Sequence, residues 1–216
     1  MQKESLKNKA YNLIKTKIVN CEYPPNSFLN ETLLMDEIGS SRTPIREALS
    51  KLEQENLVRI LPKKGIMVSD LSINEISMIF ETRILIEPYI VAHYGQLVPS
   101  DILSSMKKTF DLKNLSHRST NEIYVKDDQF HKLLVNSSKN LYFMRTMDYI
   151  YNQNFRLRVM TGNQNQERIL ASNNEHVNII DLMLGGKFDE AGEAIKTHLE
   201  KAREASFSSF INHYCT

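Results

Sequence analysis

Residues 39–58 read GSSRTPIREALSKLEQENLV, and they leave the backbone little freedom. Ile45, Ala48, Leu49 and Leu52 fall at i, i+3, i+4 and i+7, the buried stripe of a helix anchored on one face. Thr43, Arg46 and Ser50 fall at i, i+3 and i+7 on a different side, and Arg42 projects from the N-terminal end. Pro44 fits the first turn, where backbone N–H groups have no intrahelical partner. Such a helix offers guanidinium and hydroxyl groups at its entrance. A helix N-terminus favours phosphate, and arginine binds phosphate or guanine with two prongs. Taken alone, the same pattern also describes an amphipathic surface helix with solvated arginines.

The flanking residues narrow the choice. A helix is predicted over residues 5–20, with Leu6, Ala10, Leu13, Ile14 and Ile18 along one side, and Tyr23-Pro24-Pro25-Asn26 stops it. Asn30 can cap a second short helix running to Ile38, which Gly39 ends. After the third helix, Leu57–Leu61 and Ile66–Ser69 read as the strands of a hairpin whose tip, Pro62-Lys63-Lys64-Gly65, is basic. Three helices and a hairpin within about 70 residues are the parts of a winged helix-turn-helix, whose second motif helix enters the major groove.

Beyond Asp70–Ser72 the rhythm changes. Ser72-Ile73-Asn74-Glu75 and Ser119-Thr120-Asn121-Glu122 both have the form of a capping box. Helices are predicted at residues 73–95, 100–116, 120–136, 140–161, 165–184 and 188–213, with Gly185-Gly186 between the last two. Seven glycines and six prolines in 216 residues agree with a mainly helical chain. Residues 1–70 are thus expected to form one domain and residues 72–216 another. Net charge is +1, so a nucleic-acid partner has to be argued from local placement. Residues 1–70 hold 11 Lys+Arg against 9 Asp+Glu, and the remainder 16 against 17. No apolar run is long enough to span a membrane, and the polar, periodic N-terminus does not read as a signal peptide. Cys21 and Cys215 do not suggest a disulfide framework, so a cytoplasmic location is expected.

The stretch FLNETLLMDEIGSSRTPIREALSKLEQENLVRILPKKGIMV resembles the winged helix of GntR-type bacterial transcription regulators. The signature S-R-T-P-[VI]-R-E-A-L runs without a gap from Ser41 to Leu49. The resemblance implies that Arg42, Thr43 and Arg46, with Ser50 on the same side, face operator DNA. It also implies that Lys64 and Gly65 at the wing tip approach the minor groove. Thr32 stands where a basic residue is often found, and Cys21, Asn26 and Asn56 replace family glycines.

In the second domain, Asp127 and His131 are i and i+4 on one helix face, so a carboxylate and an imidazole can reach one metal ion. His176, preceded by Glu175, and His198 lie on later helices. Three histidines and an aspartate suit zinc, nickel or a neighbouring divalent transition metal. Helix spacing alone does not bring His176 and His198 to Asp127, and each histidine singly also fits a packed side chain. Residues 72–205 resemble the all-helical FCD effector domain of the FadR subfamily. Its metal-binding members carry D-x-x-x-H, E-H and a histidine in an H-L pair, matched here by Asp127, His131, Glu175-His176 and His198-Leu199. The resemblance implies a small carboxylate that completes the metal's coordination sphere. Arg83, in Glu81-Thr82-Arg83, is the expected effector clamp, with an ion pair to Glu81 or Glu87 as the other reading. Arg156 and Arg158 are weaker candidates, and Tyr94, Tyr142 and Tyr149 read as core.

The expected whole is a mainly α chain: a winged helix-turn-helix followed by an FCD helical bundle. Its expected function is that of a ligand-responsive repressor, a homodimer binding a pseudo-palindromic operator, and not an enzyme. One alternative is a regulator that senses the metal itself. The other is a metal-dependent hydrolase fused to a DNA anchor, against which no H-E-x-x-H sequence occurs.

Overall fold

The computed structural model describes residues 5–111, 118–161 and 166–214. The chain divides into two compact units, Met1–Ser72 and Ile73–Thr216.

In the first unit, α1 (Leu6–Val19) starts at Ser5, whose hydroxyl accepts the Asn8 N–H at 3.2 Å. Its spacing of four places Ala10, Ile14 and Ile18 on one buried line. A short strand β1 (Phe28–Leu29) precedes α2 (Glu31–Ile38). Asn30 caps α2 by accepting from the Thr32 and Leu33 N–H groups at 2.8 and 3.4 Å. Gly39, at φ 68°, turns the chain out of it. Helix α3 (Arg42–Gln54) buries Ile45, Ala48, Leu49 and Leu52 against α1 and α2. Strands β2 (Val58–Leu61) and β3 (Gly65–Val68) follow as an antiparallel hairpin with Val58 opposite Val68 and Leu61 opposite Gly65. The sheet order is β1-β3-β2. Sequence reading missed β1, whose two residues are too few to show alternation.

Cys21, Asn26 and Asn56 adopt φ of 56°, 62° and 52°. These are the positions where the resemblance expects glycine, and the left-handed backbone is the reason. Asparagine tolerates that conformation, whereas a cysteine side chain is strained in it by about 1–2 kcal/mol.

The second unit is helical. Helix α4 (Ile73–Tyr94) runs into a single 3₁₀ turn, Gly95–Leu97, and α5 (Ser100–Thr109) follows. Then come α6 (Thr120–Ser137), α7 (Leu141–Met160), α8 (Gln166–Leu184) and α9 (Phe188–Tyr214). Helix α9 packs along α4 and α8, and α6 and α7 pack against each other and against α4. Gly192 sets the close approach of α9 to α4, because a Cβ there would lie 3.1 Å from the Pro88 carbonyl oxygen. Ser119 and Glu122 form the expected capping box on α6. The apolar core includes Val91, Leu103, Phe130, Ile179, Ile195 and Leu199.

Two expectations are corrected here. Helix α5 ends at Thr109 and not near residue 116, because the Phe110 N–H turns back to the Lys107 carbonyl at 3.1 Å and its ring packs edge-on against Phe130. Residues 112–116 of that predicted helix lie outside the described residues, as do residue 165, the first of the helix predicted over 165–184, and Cys215. Tyr142 is 82% exposed at the start of α7 and is not core, while Tyr94 and Tyr149 are half-buried. Among the described residues no helix is long and apolar enough to cross a membrane.

Candidate functional site

The exposed face of the first unit gathers the residues singled out for DNA. Arg42, Thr43, Arg46 and Ser50 all stand exposed on α3, and Lys64 and Gly65 are exposed at the hairpin tip. Lys63 at φ 64° and Gly65 at φ 105° make the tight turn there. Ser5 and Asn30 cap α1 and α2 with their side chains, whereas Ser41 makes no side-chain cap at the start of α3. The first-turn amides of α3 are therefore not taken up by a capping hydroxyl. Glu31, in the first turn of α2, holds the arginines: Arg46 Nε lies 3.1 Å from Oε1, and Arg42 Nε lies 3.7 Å from Oε2.

In the second unit, Asp127 and His131 come from α6, His176 from α8 and His198 from α9. The fold brings these four together, with one ligand atom of each within 4.8 Å of the others. His176 Nε2 lies 3.2 Å from His198 Nε2 and 3.5 Å from Asp127 Oδ1, and His131 Nε2 lies 4.0 Å from Asp127 Oδ2. All three imidazoles are buried.

Two of the three rings are oriented from behind. His131 Nδ1 donates to Glu87 Oε2 at 2.5 Å, and His198 Nδ1 donates to Glu175 Oε2 at 2.7 Å. A carboxylate only accepts, so the proton sits on Nδ1 in both rings and each Nε2 turns a lone pair inward. His131 Nε2 and His176 Nδ1 are buried without a hydrogen-bond partner. Phe110 and Phe130 pack on His176 with ring centroids 4.6 and 4.9 Å away.

The charges fit that arrangement. Burial pushes the Glu87 carboxyl up, but Arg83 and His131 outweigh it and bring it down to about 2. Burial likewise raises Glu175, and the His198 and Arg168 contacts bring it down to about 2. Burial raises the Asp127 carboxyl, but the Arg158 guanidinium outweighs it and helps to hold it well below the usual carboxylate range. Burial and the neighbouring His198 hold His176 well below its ordinary value, and burial lowers His198. Neutral imidazoles beside an ionised carboxylate are the protonation states that metal ligation requires.

Arg83 is buried and donates from Nε to Glu87 Oε1 at 2.7 Å, so the ion pair with Glu87 is present, inside the fold and not at its surface. Its Nη2 has no partner. Arg83 lines a cavity with Asp127, Asn154, Arg158, Arg168 and His198. Arg158, a weaker candidate in the sequence, grips Asp127 and Asp128 at 2.5 and 3.1 Å. Sequence reading named Glu87 only as an ion-pair alternative for Arg83 and missed its contact with His131. For Arg158 a signal exists: Phe155-Arg156-Leu157-Arg158-Val159-Met160 sets charges among apolar residues, and both arginines are buried.

Two family descriptions match this chain. The family described as bacterial regulatory proteins, gntR family, matches residues 6–68, and the FCD domain matches residues 78–201. The HTH-type transcriptional regulator YdhC of Bacillus subtilis is 28% identical over 210 residues, covering 95% of this chain and 87% of its own. The gluconate operon transcriptional repressor of Bacillus licheniformis is 25% identical over 185 residues, covering 79% and 76%. Among solved structures, a GntR regulator from Rhodococcus sp. RHA1 superposes with a TM-score of 0.77 at 18% identity, covering 94% of this chain and 97% of that one. A Zn2+-bound FCD domain superposes with a TM-score of 0.55 at 22% identity, covering 68% and 100%. The chain belongs to the GntR family of bacterial regulatory proteins, in the branch that carries an FCD domain, and is a transcriptional regulator and not an enzyme.

Proposed function

We propose that this regulator is a ligand-responsive repressor whose FCD unit holds one divalent transition metal, zinc or nickel, on Asp127, His131, His176 and His198. A small carboxylate effector completes the site. The observation that carries this reading is the convergence of the four groups, with His176 Nε2 and His198 Nε2 only 3.2 Å apart. Two imidazole nitrogens on one zinc ion at about 2.0–2.1 Å each stand about 3–3.5 Å apart. The second support is Glu87 and Glu175 holding two Nε2 lone pairs inward. When bound, the metal supplies an open position for a carboxylate oxygen. Arg83 Nη2, unpartnered at the cavity beside His198, then offers the guanidinium for the effector's second oxygen.

On the DNA side, Arg42, Thr43, Arg46 and Ser50 read the major groove, the uncapped first turn of α3 meets a phosphate, and Lys64 and Gly65 approach the minor groove. The protein works as a homodimer on a pseudo-palindromic operator in the cytoplasm. Met78, Leu85 and Tyr89 form an exposed apolar row on α4, and Leu141 and Tyr142 are exposed on α7, whose Phe143 ring lies 6.2 Å from that of Tyr89. Exposed apolar surface of this kind marks an interface.

A ligand alters operator affinity only by binding one dimer arrangement better than another. Operator titrations of metal-stripped protein, of Zn2+-loaded protein, and of Zn2+-loaded protein with acetate test the reading. The carboxylate reading expects a change on adding acetate and little with Zn2+ alone. Release by Zn2+ alone at micromolar levels supports the second reading, in which the metal is itself the effector.

A further inference from the structure

Asp127 has two claimants. Its Oδ1 lies 3.5 Å from His176 Nε2 and its Oδ2 lies 4.0 Å from His131 Nε2, inside the histidine cluster. The same Oδ2 also accepts from Arg158 Nη1 at 2.5 Å. A cation at that oxygen would stand beside a full guanidinium charge, and the two like charges repel. Arg158 does not depend on Asp127 alone. Its Nη2 donates to Asp128 Oδ1 at 3.1 Å, and its guanidinium lies 4.9 Å from the Tyr124 ring centroid. Letting go of Asp127 therefore leaves the side chain anchored.

The place of Arg158 in the bundle adds a second observation. Two cavities flank the histidine cluster. One is lined by Tyr124, Asn173 and His176, the other by Arg83, Arg168 and His198, and Asp127, Arg158 and Ser172 line both. The Arg158–Asp127 pair is thus shared by both cavity walls. The other two guanidiniums on the second cavity are held elsewhere, Arg83 by Glu87 and Arg168 by Glu175. Arg158 is held by a side chain of the cluster, Asp127, whereas Arg168 meets the cluster at the His198 backbone carbonyl, 3.5 Å from its Nη2.

We propose that Arg158 is a latch: it closes on Asp127 in the metal-free protein, competes with a cation for that carboxylate, and when displaced presents its Nη1 to a carboxylate in the cavity. This rests on the metal reading above and adds a regulation to it. Effector recognition is armed by metal loading, because a second guanidinium, beside that of Arg83, is released to the effector only when Asp127 takes a cation. The sign of one measurement separates this from an ordinary supporting role. A residue that merely orients a ligand carboxylate lowers metal affinity about 10–100-fold when removed. A latch raises it.

The experiment is Zn2+ binding to the full chain, measured by competition with a chromophoric chelator, for the wild type, Arg158→Gln and Arg158→Lys. Acetate is then titrated into each Zn2+-loaded form. The latch predicts Zn2+ affinity at least tenfold tighter in Arg158→Gln, a smaller gain in Arg158→Lys, and acetate binding at least tenfold weaker in Arg158→Gln. Arg158→Lys keeps a cation without the two-pronged grip, so it carries the test if the glutamine variant fails to fold. Tight wild-type binding that weakens or stays level in both variants overturns the latch and leaves the metal site standing. A wild type that binds no Zn2+ overturns both.

Discussion

His176 Nε2 lies 3.2 Å from His198 Nε2, and the proton between them belongs to His176. His198 keeps its own proton on Nδ1, which donates to Glu175, so its Nε2 only accepts. In the metal-free protein His176 is therefore the Nε2–H tautomer, and its buried Nδ1 has no partner. Metal ligation through Nε2 requires the proton to move to Nδ1. Nitrogen-15 NMR of the imidazoles should show His176 protonated on Nε2 in stripped protein and on Nδ1 after Zn2+ is added. An unchanged tautomer would remove His176 from the ligand set.

Glu87 connects Arg83 to His131. Glu87→Ala takes the acceptor from both, leaving a buried guanidinium uncompensated, and should destabilise the protein by about 3–5 kcal/mol. Glu87→Gln keeps the shape and should fold better, yet bind Zn2+ about 10–100-fold more weakly, because the imidazole loses the carboxylate behind it. Chemical denaturation and a Zn2+ titration measure the two effects separately. Wild-type metal affinity in the glutamine variant would mean that Glu87 serves the fold alone.

Arg46 and Glu31 form an exposed pair that DNA has to displace. Arg46→Ala should weaken specific operator binding by about 1–3 kcal/mol if the guanidinium reads a base. Glu31→Gln removes the competitor and should tighten binding by about 0.2–1 kcal/mol, most visibly at low salt. Gel-shift titrations at two ionic strengths resolve both. If the Arg46→Ala protein binds like wild type, α3 does not read DNA through this residue.

Cys21 holds a left-handed backbone with φ 56°. Cys21→Gly should raise stability by up to about 1 kcal/mol, since the relief of strain exceeds the added freedom of the unfolded chain. The urea midpoint reports it, and a lower midpoint would show that the side chain contributes more by packing than it costs in strain.

Acid should weaken the metal-free second unit earlier than carboxylate titration would. Burial lowers His176 well below, and His198 below, the value of about 6.5 that each has when unfolded. The unfolded state then binds more protons in that range, so this stability is present above about pH 6.5 and lost as pH falls through it. Glu87, held to about 2, gives stability that persists until the pH drops below about 4.3, its unfolded value. Asp128 is raised by burial and acts in the opposite sense, which shallows the acidic end. Urea midpoints between pH 7.5 and 5.5 should decline, and Zn2+ should restore them. A midpoint that rises toward acid would contradict buried neutral imidazoles.

What could be read from the sequence follows the range of the interactions. The α3 stripe, the Asn30 cap, the Gly39 stop and the basic hairpin tip are local, and each is set by residues a few positions apart. Asp127 and His131 share a helix face by spacing alone. His176 and His198 meet them only through the packing of α6, α8 and α9, which no periodicity encodes, and the family motif was needed to link them. Glu87 is legible as an ion-pair partner of Arg83 one turn away, but its contact with His131 arises only from the packing of α4 against α6. Arg83 reads both as an effector clamp and as an ion-pair partner of Glu81 or Glu87, and sequence does not say that the pair with Glu87 lies inside the fold. Phe110 ended α5 early through a tertiary contact with Phe130, which propensity does not foresee.

The central claim is that four side chains from three helices hold one metal ion. Elemental analysis of the purified protein and of the His131→Ala, His176→Ala double variant tests it most directly, with circular dichroism to verify that the variant is folded. The account predicts one divalent transition-metal ion per chain in the wild type and none in the folded variant. A variant that is folded and still retains a full equivalent would contradict it.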